Sequence, residues 1–203
     1  MPLRSVAVSV LALAAASSLP GAVRSLGVTI LGSPSDSRVI ALEEAVVFWN
    51  GALGRLGAHV QVGPVRVLDA PIPDEVLRDL SASVMDGRGA RGLRRLIDQT
   101  PGEIVVALSQ ADLVSFGTEW YPGGKGFVAL RRADVTPLSL PNVARNAIAH
   151  ELGHVLGLPH NDDPATLMCG RPAPCRPSTF ASDTARFFPL TSSDVRDLRE
   201  LWP

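Results

Sequence analysis

Net positive charge is missing from this sequence, and lysine is almost absent. The formal net charge is −1, from 19 lysine and arginine residues against 20 acidic residues, and Lys125 is the only lysine. Without a basic excess, the chain lacks the electrostatic footprint of a protein that binds nucleic acid or an anionic membrane surface. We therefore expect neither as a partner. Hydrophobic residues make up 46% of the chain and charged residues 19%, which is typical of a globular protein and not of a disordered one.

Residues 1–22 have the features of a secretory signal peptide. Arg4 precedes an apolar run, Val6–Ala16, and small residues follow that run. The run is too short to cross a bilayer comfortably, which favours a removed signal over a membrane anchor. We place the cleavage near Ala22, with the end of the apolar run as the alternative. The remaining residues, 23–203, contain no internal repeat or low-complexity linker, so we expect one secreted domain.

Cysteine is scarce, and its placement is informative. No cysteine lies near the N-terminus, which excludes lipid attachment at an N-terminal cysteine. The only two, Cys169 and Cys175, flank a short proline-containing stretch. Because export places the protein in an oxidising environment, we predict a disulfide between them. Two free buried thiols are the alternative.

The order of apolar patterns predicts an α/β protein. Residues 26–31 have the pattern of a buried strand, and an amphipathic helix is predicted from Ser37 to Leu56, with Asp36 or Ser37 as its N-cap and Gly57 as its end. Further strands are predicted at 59–69 (broken at Gly63-Pro64), 102–109 and 124–132, and further helices at 74–84, 92–99, 142–157 and 191–202. This order predicts an α/β sandwich in which helices back one mixed sheet.

Three of the four histidines lie within "HELGHVLGLPH", residues 150–160. His150 and His154 are four residues apart, so on a helix they project from one face and can share a zinc ion at about 2.0–2.1 Å. Glu151 is offset by about 100° around the helix. It is poorly placed as a ligand but can reach a water at the open coordination position, which predicts a general base.

A catalytic zinc needs a third protein ligand, and the end of the helix supplies one. The predicted helix has Asn142 as its N-cap and ends at Gly157, which lacks Cβ and can reverse the chain sharply. The reversal returns His160 toward the metal. Three neutral histidines leave one coordination position open, which favours a bound water with a pKa near 7.

The run HExxHxxGxxH resembles the active site of the metzincin clan of zinc peptidases. "TLMCG" supplies Met168 where that clan has a methionine-containing turn. Within the clan the sequence is most similar to the matrixins (matrix metalloproteinase-like peptidases), strongly over 142–168 and more weakly over 191–202. Upstream, only the order of elements agrees. The sequence departs from matrixins at Asn161, where they usually have serine, and at Cys169-Gly170, where they have Tyr-Pro.

The resemblance implies a metzincin-like α/β (α+β) fold. Its features would be a mixed, mostly parallel twisted sheet backed by a long helix, an active-site helix, a Met-turn and a C-terminal helix. It implies His150, His154 and His160 as ligands of one zinc ion, Glu151 as the base, and Met168 as an apolar floor that does not bind the metal. By position it also implies an edge strand that pairs with an extended substrate, formed by Gly126, Phe127, Val128 and Ala129. An ordinary sheet strand is the alternative for these residues.

Our leading hypothesis is a secreted, monomeric zinc endopeptidase that acts on a protein or peptide substrate. A zinc-containing binding module without catalysis and a metallo-hydrolase of a non-peptide bond are the alternatives. The segment between Cys169 and Pro189 is expected to form the wall of the substrate side-chain pocket. Calcium is conceivable as a further ion, but no acidic cluster in the sequence has a convincing ligand spacing for it.

Overall fold

The computed structural model describes residues 23–85, 94–118, 125–136, 138–170, 175 and 184–203. The predicted signal peptide and most of the predicted pocket wall lie outside these residues. None of the described helices is long and apolar enough to cross a membrane.

A mixed sheet of five strands forms the centre of the described chain. The strands are β1 (Arg24–Leu31), β2 (Val60–Leu68), β3 (Ile104–Leu108), β4 (Phe116–Thr118) and β5 (Gly126–Leu130). Their order is β2-β1-β3-β5-β4. β2, β1, β3 and β5 are mutually parallel, and β4 pairs antiparallel with β5. The expectation of a mixed, mostly parallel sheet is confirmed.

Helices cover both faces of this sheet. They are α1 (Ser37–Leu56), α2 (Asp74–Met85), α3 (Arg94–Gln99), α4 (Pro141–Val155) and α5 (Ser192–Leu201). Side chains of β3 alternate between the two faces: Ile104 and Val106 join the core with α1, α4 and α5, and Val105 joins the core with α2 and α3. A parallel sheet needs both faces buried, which explains the continuous apolar runs in its strands.

Local capping signals fix the bounds of α1 and α5. Asp36 is the N-cap of α1 and accepts a hydrogen bond from the Arg38 amide at 3.0 Å. Gly57 ends the helix in a left-handed conformation, with φ 73°. Thr191 and Asp194 form a capping box at the start of α5. The bounds of α1 agree with the sequence-based prediction, and α5 falls within the predicted range 191–202.

The predicted break in β2 is also present. Gly63-Pro64 is a cis peptide bond, and the β1–β2 pairing skips both residues, since Leu26 pairs with Val62 and Val28 pairs with Val65. Proline has no amide hydrogen to give to the ladder.

One prediction about local structure was wrong, and one strand was missed. Asn142 is not an N-cap: α4 begins one residue earlier, at Pro141, and its N-cap residue, Leu140, makes no side-chain capping bond. Proline suits the first helical turn because the amide it lacks would have no partner there. The short strand β4 was not predicted from the sequence, and its position changes the interpretation of β5.

Candidate metal centre

The structure brings the three motif histidines to one point. His150 and His154 project from α4, and His160 reaches them from the loop that follows. The Nε2 atoms are 3.1 Å apart for His150 and His154, 3.2 Å for His150 and His160, and 2.9 Å for His154 and His160. Within the described residues, these three histidines form a group of side chains that could hold a metal ion.

Main-chain carbonyl groups determine which way two of these rings face. Nδ1 of His150 lies 2.7 Å from the Leu167 oxygen, and Nδ1 of His154 lies 2.8 Å from the Leu158 oxygen. A carbonyl oxygen only accepts, so each Nδ1 carries the proton and each Nε2 presents a lone pair. Such second contacts are typical of metal-binding histidines.

This donor set fits zinc. In a tetrahedral site with bonds of about 2.0–2.1 Å, neighbouring nitrogen atoms are about 3.3 Å apart, close to the observed separations. Without a cation, lone pairs so close would repel one another, and an ion at their centre removes that repulsion. Burial lowers the pKa of His154 from 6.5 to about 4, with a smaller contribution from His160 in the same direction, while the hydrogen bond to Leu158 acts in the opposite direction. His154 is therefore neutral at pH 7, as a ligand must be.

The end of α4 turns the chain as the sequence predicts. Gly157 has φ 94°, a conformation that favours glycine, and the Leu158 amide donates to the Gly153 carbonyl at 2.9 Å. The chain then reverses and presents His160 to the two helical histidines. His150 is buried and His160 is exposed, so the cluster opens to solvent on the His160 side.

Met168 packs against α4, the helix that carries two of the three histidines. It is fully buried and packs on α4 at Gly153, where a Cβ would collide with the methionine sulfur and would lie 3.0 Å from the Trp49 ring. Gly170 contacts the His160 ring equally closely, since a Cβ on Gly170 would collide with that ring. Met168 therefore packs on α4 at the residue before His154, and its role as an apolar floor beneath a metal ion stays a prediction.

Asn161 joins the loop of the third histidine to the Met168 turn. Its amide donates to the Met168 carbonyl at 2.9 Å, and its carbonyl accepts from the Gly170 amide at 3.0 Å. Its side-chain amide also contacts both carboxylate oxygens of Asp194, at 3.3 and 3.4 Å. Asn161 therefore connects the loop that carries His160 to the start of α5.

The predicted disulfide is present directly after the Met168 turn. Cys169 and Cys175 are bonded, with their Cα atoms 5.7 Å apart. Both cysteines of the sequence are accounted for, and the alternative of two free thiols was wrong.

Glu151 lies beside the histidines on α4 and is 8% exposed. Strand β4 touches the helix at this residue, where a Cβ on Gly117 would collide with the Glu151 carbonyl oxygen. The structure therefore places the candidate base next to the last strand of the sheet.

The placement of the predicted substrate-pairing strand needs correction. Gly126, Phe127, Val128 and Ala129 belong to β5, which lies between β3 and β4 and pairs with both. This strand is therefore not at an edge of the sheet that the described residues form, and all of its residues are buried. β4 occupies the edge instead, because the three residues Phe116–Thr118 add an antiparallel strand that the sequence pattern did not reveal.

Sequence reasoning missed the groups that orient the ligands. The carbonyls of Leu158 and Leu167 have no side-chain signature, so no pattern could have identified them. Asn142 and Asn146 do have a sequence signature, although they do not contact the histidine rings: they extend the four-residue spacing of His150 and His154 backward along α4, and polar residues on a buried helix face need partners.

Comparison with known proteins identifies the fold. No protein-family model matches the sequence, and no curated protein matches it. Among solved structures the chain is similar to archaemetzincin from Methanopyrus kandleri, with a TM-score of 0.54 and 18% sequence identity, over 88% of this chain and 94% of that chain. This likeness establishes a metzincin-type fold. It does not extend to the matrixins in particular, and that narrower resemblance stays a prediction.

Proposed function

We propose that this protein is a zinc-dependent endopeptidase of the metzincin type. The observation that carries the proposal is the convergence of three Nε2 atoms within 3.2 Å of one another, beside the buried Glu151. The rings of His150 and His154 each donate a hydrogen bond from Nδ1 to a carbonyl oxygen. These bonds orient the Nε2 lone pairs toward the common centre before a metal ion binds.

The side chains of the site have separate tasks. His150, His154 and His160 would hold zinc, which when bound supplies Lewis acidity at its open position. Glu151 takes a proton from the attacking water and later returns it to the leaving amine. Because Glu151 follows His150 directly on a rigid helix, the base and the ligands keep a fixed relation.

We assign substrate pairing to β4. This strand is last in the sheet order and contacts α4 at Glu151. An extended peptide beside β4 would add a strand to the sheet by main-chain hydrogen bonds, which brings a peptide bond alongside the metal centre without requiring a particular side chain.

We further propose that the protein is exported and acts as a monomer, and that it is matrixin-like within the metzincins. The disulfide supports an oxidising location. The similarity of residues 142–168 and 191–202 supports the matrixin relation.

A paired measurement tests the proposed activity. Glu151→Gln removes the base and keeps the size of the side chain. We expect the variant to retain about one zinc per chain, as the three histidines require, and to cleave casein at least about 100-fold more slowly. Zinc content is measured by elemental analysis, and cleavage by release of soluble peptides.

Glu43→Gln is the matched control, because it makes the same change on the exposed face of α1 and should leave both quantities unchanged. Equal cleavage by wild type and Glu151→Gln would refute the role of Glu151. Bound zinc without cleavage of any protein by the wild type would favour a non-catalytic binding module or hydrolysis of a non-peptide bond.

A further inference from the structure

Four polar side chains lie along one stripe of α4. Asn142, Asn146, His150 and His154 follow at intervals of four residues, so each lies about one turn from the next on a slowly winding stripe. The histidines converge on the metal centre. The two asparagines are 3% and 1% exposed, and the proposed chemistry gives them no task.

The asparagines bind the extended segment that precedes α5. Asn146 donates from Nδ2 to the Arg186 carbonyl at 2.9 Å and accepts from the Phe188 amide at 2.8 Å. Asn142 accepts from the Arg186 amide at 3.1 Å. Two side-chain amides thus pair with alternate residues of the segment, as a neighbouring strand would.

The same segment continues to the Met168 turn. Pro189, next to Phe188, accepts at its carbonyl a hydrogen bond from the Leu167 amide at 2.9 Å. The Leu167 carbonyl in turn lies 2.7 Å from Nδ1 of His150. A continuous path therefore runs from Asn146 through Phe188, Pro189 and Leu167 to the ring of His150, one helical turn further along α4.

We propose that Asn146 is a positioning residue for the metal ligand His150. Asn146 holds the segment at Arg186 and Phe188 and so positions the adjacent Pro189 carbonyl. Pro189 in turn holds Leu167, whose carbonyl sets the angle of the imidazole ring of His150. A ring that is free to turn binds metal less tightly, because its lone pair leaves the common centre of the three Nε2 atoms. This inference rests on the proposed metal site and extends its supporting contacts to a residue outside the motif.

The chain contains a matched control in Asn50 of α1. Its Nδ2 donates to the Val62 carbonyl at 2.9 Å, and its Oδ1 accepts from the Val62 amide at 2.7 Å. Asn50 thus ties a helix to an extended segment by the same kind of bonds as Asn146. That segment is β2, at the end of the sheet order opposite β4. Loss of either asparagine should lower stability, and only Asn146 should affect the metal.

The experiment compares Asn146→Leu and Asn50→Leu in the full chain. The zinc dissociation constant is measured by competition with a chromophoric chelator, and the ligand geometry by the visible absorption of the cobalt-substituted protein. We expect Asn146→Leu to weaken zinc binding about 10-fold or more and to change the cobalt spectrum. Asn50→Leu should retain the affinity and spectrum of the wild type. Urea unfolding of the metal-free proteins measures the loss of stability that both variants share.

Wild-type zinc affinity and an unchanged cobalt spectrum in folded Asn146→Leu would overturn the inference and leave the proposed function intact. A wild type that binds no zinc would contradict the proposed function and this inference together. If Asn146→Leu does not fold, Asn146→Ser is measured in its place, since serine is too short to span both contacts and leaves space for water. The same weakening supports the inference, and wild-type affinity in this variant overturns it.

Discussion

The rings of His150 and His154 are oriented by carbonyl groups at very different distances along the chain. His154 is bonded to Leu158, four residues away, within the turn that ends α4. His150 is bonded to Leu167, seventeen residues away, in the Met168 turn. The orientation of His154 therefore comes from local structure, and that of His150 depends on how the two segments pack. Only the identities and spacing of the histidines were available to sequence reasoning, because a carbonyl partner has no sequence signature.

The lowered pKa of His154 predicts acid sensitivity of the metal-free protein. Burial, the largest cause, brings this pKa from 6.5 to about 4. As pH falls through this window, the unfolded chain takes up a proton that the folded chain does not. The free energy of unfolding should therefore decrease between pH 6.5 and about 4, by at most about 1.4 kcal/mol per pH unit from this group. Urea unfolding of chelator-treated protein across that range measures it.

His154→Gln is the control for this titration. Glutamine cannot take up a proton, so the variant should lose less stability than the wild type over the same window. If the free energy of unfolding depends on pH in the same way in both proteins, His154 does not contribute to the acid sensitivity.

At the scale of elements, β4 and α4 meet backbone to backbone. Gly117 permits this contact, because any Cβ there would collide with the Glu151 carbonyl oxygen. Neither backbone can move closer, so the glycine sets the separation between the candidate base and the strand assigned to the substrate.

Gly117→Ala should displace β4 from α4. A misplacement of about 1 Å can reduce catalysis about 100-fold, so we expect kcat/KM for a peptide substrate to fall by at least about 10-fold while zinc content is retained. Overpacking should also lower the free energy of unfolding by about 1–3 kcal/mol. Steady-state kinetics, zinc analysis and urea unfolding measure the three effects.

Gly54→Ala is the matched control, since a Cβ at this position of α1 meets nothing within 4 Å. This substitution should leave kcat/KM unchanged and stabilise the helix slightly. Wild-type kinetics in Gly117→Ala would mean that the separation of β4 and α4 does not limit catalysis.

Elements with local signals were predictable, and those that depend on pairing were not. Asp36 and Gly57 mark both ends of α1, and the predicted bounds agree with the structure. Phe116–Thr118 is too short to have a periodic pattern, and only its pairing with β5 makes it a strand. The family resemblance, applied by position, had placed residues 126–129 at the edge, where the structure has β4. A prediction about sheet edges needs every strand, including the shortest.

At the scale of the whole molecule, distant segments support the metal-binding end of α4. Trp49 of α1 is fully buried and donates from its indole nitrogen to the Ala149 carbonyl at 2.9 Å. Trp202, after α5, donates to the Leu156 carbonyl at 3.0 Å. Because contacts from α1 and from the end of the chain flank the histidines, metal binding should be coupled to global folding and not only to the order of one loop.

Zinc should therefore raise the free energy of unfolding of the entire domain. A ligand that binds only the folded state adds about 2.7 kcal/mol at 100 times its dissociation constant and about 4.1 kcal/mol at 1,000 times. We expect urea midpoints to rise with the logarithm of buffered free zinc, with one cooperative transition throughout. Magnesium at the same concentrations should have no effect, because it prefers oxygen ligands and this cluster offers three imidazole nitrogens. His160→Ala, which removes one of them, should shift the response to higher zinc. A midpoint that does not depend on zinc would show that the three histidines do not bind it in the folded protein.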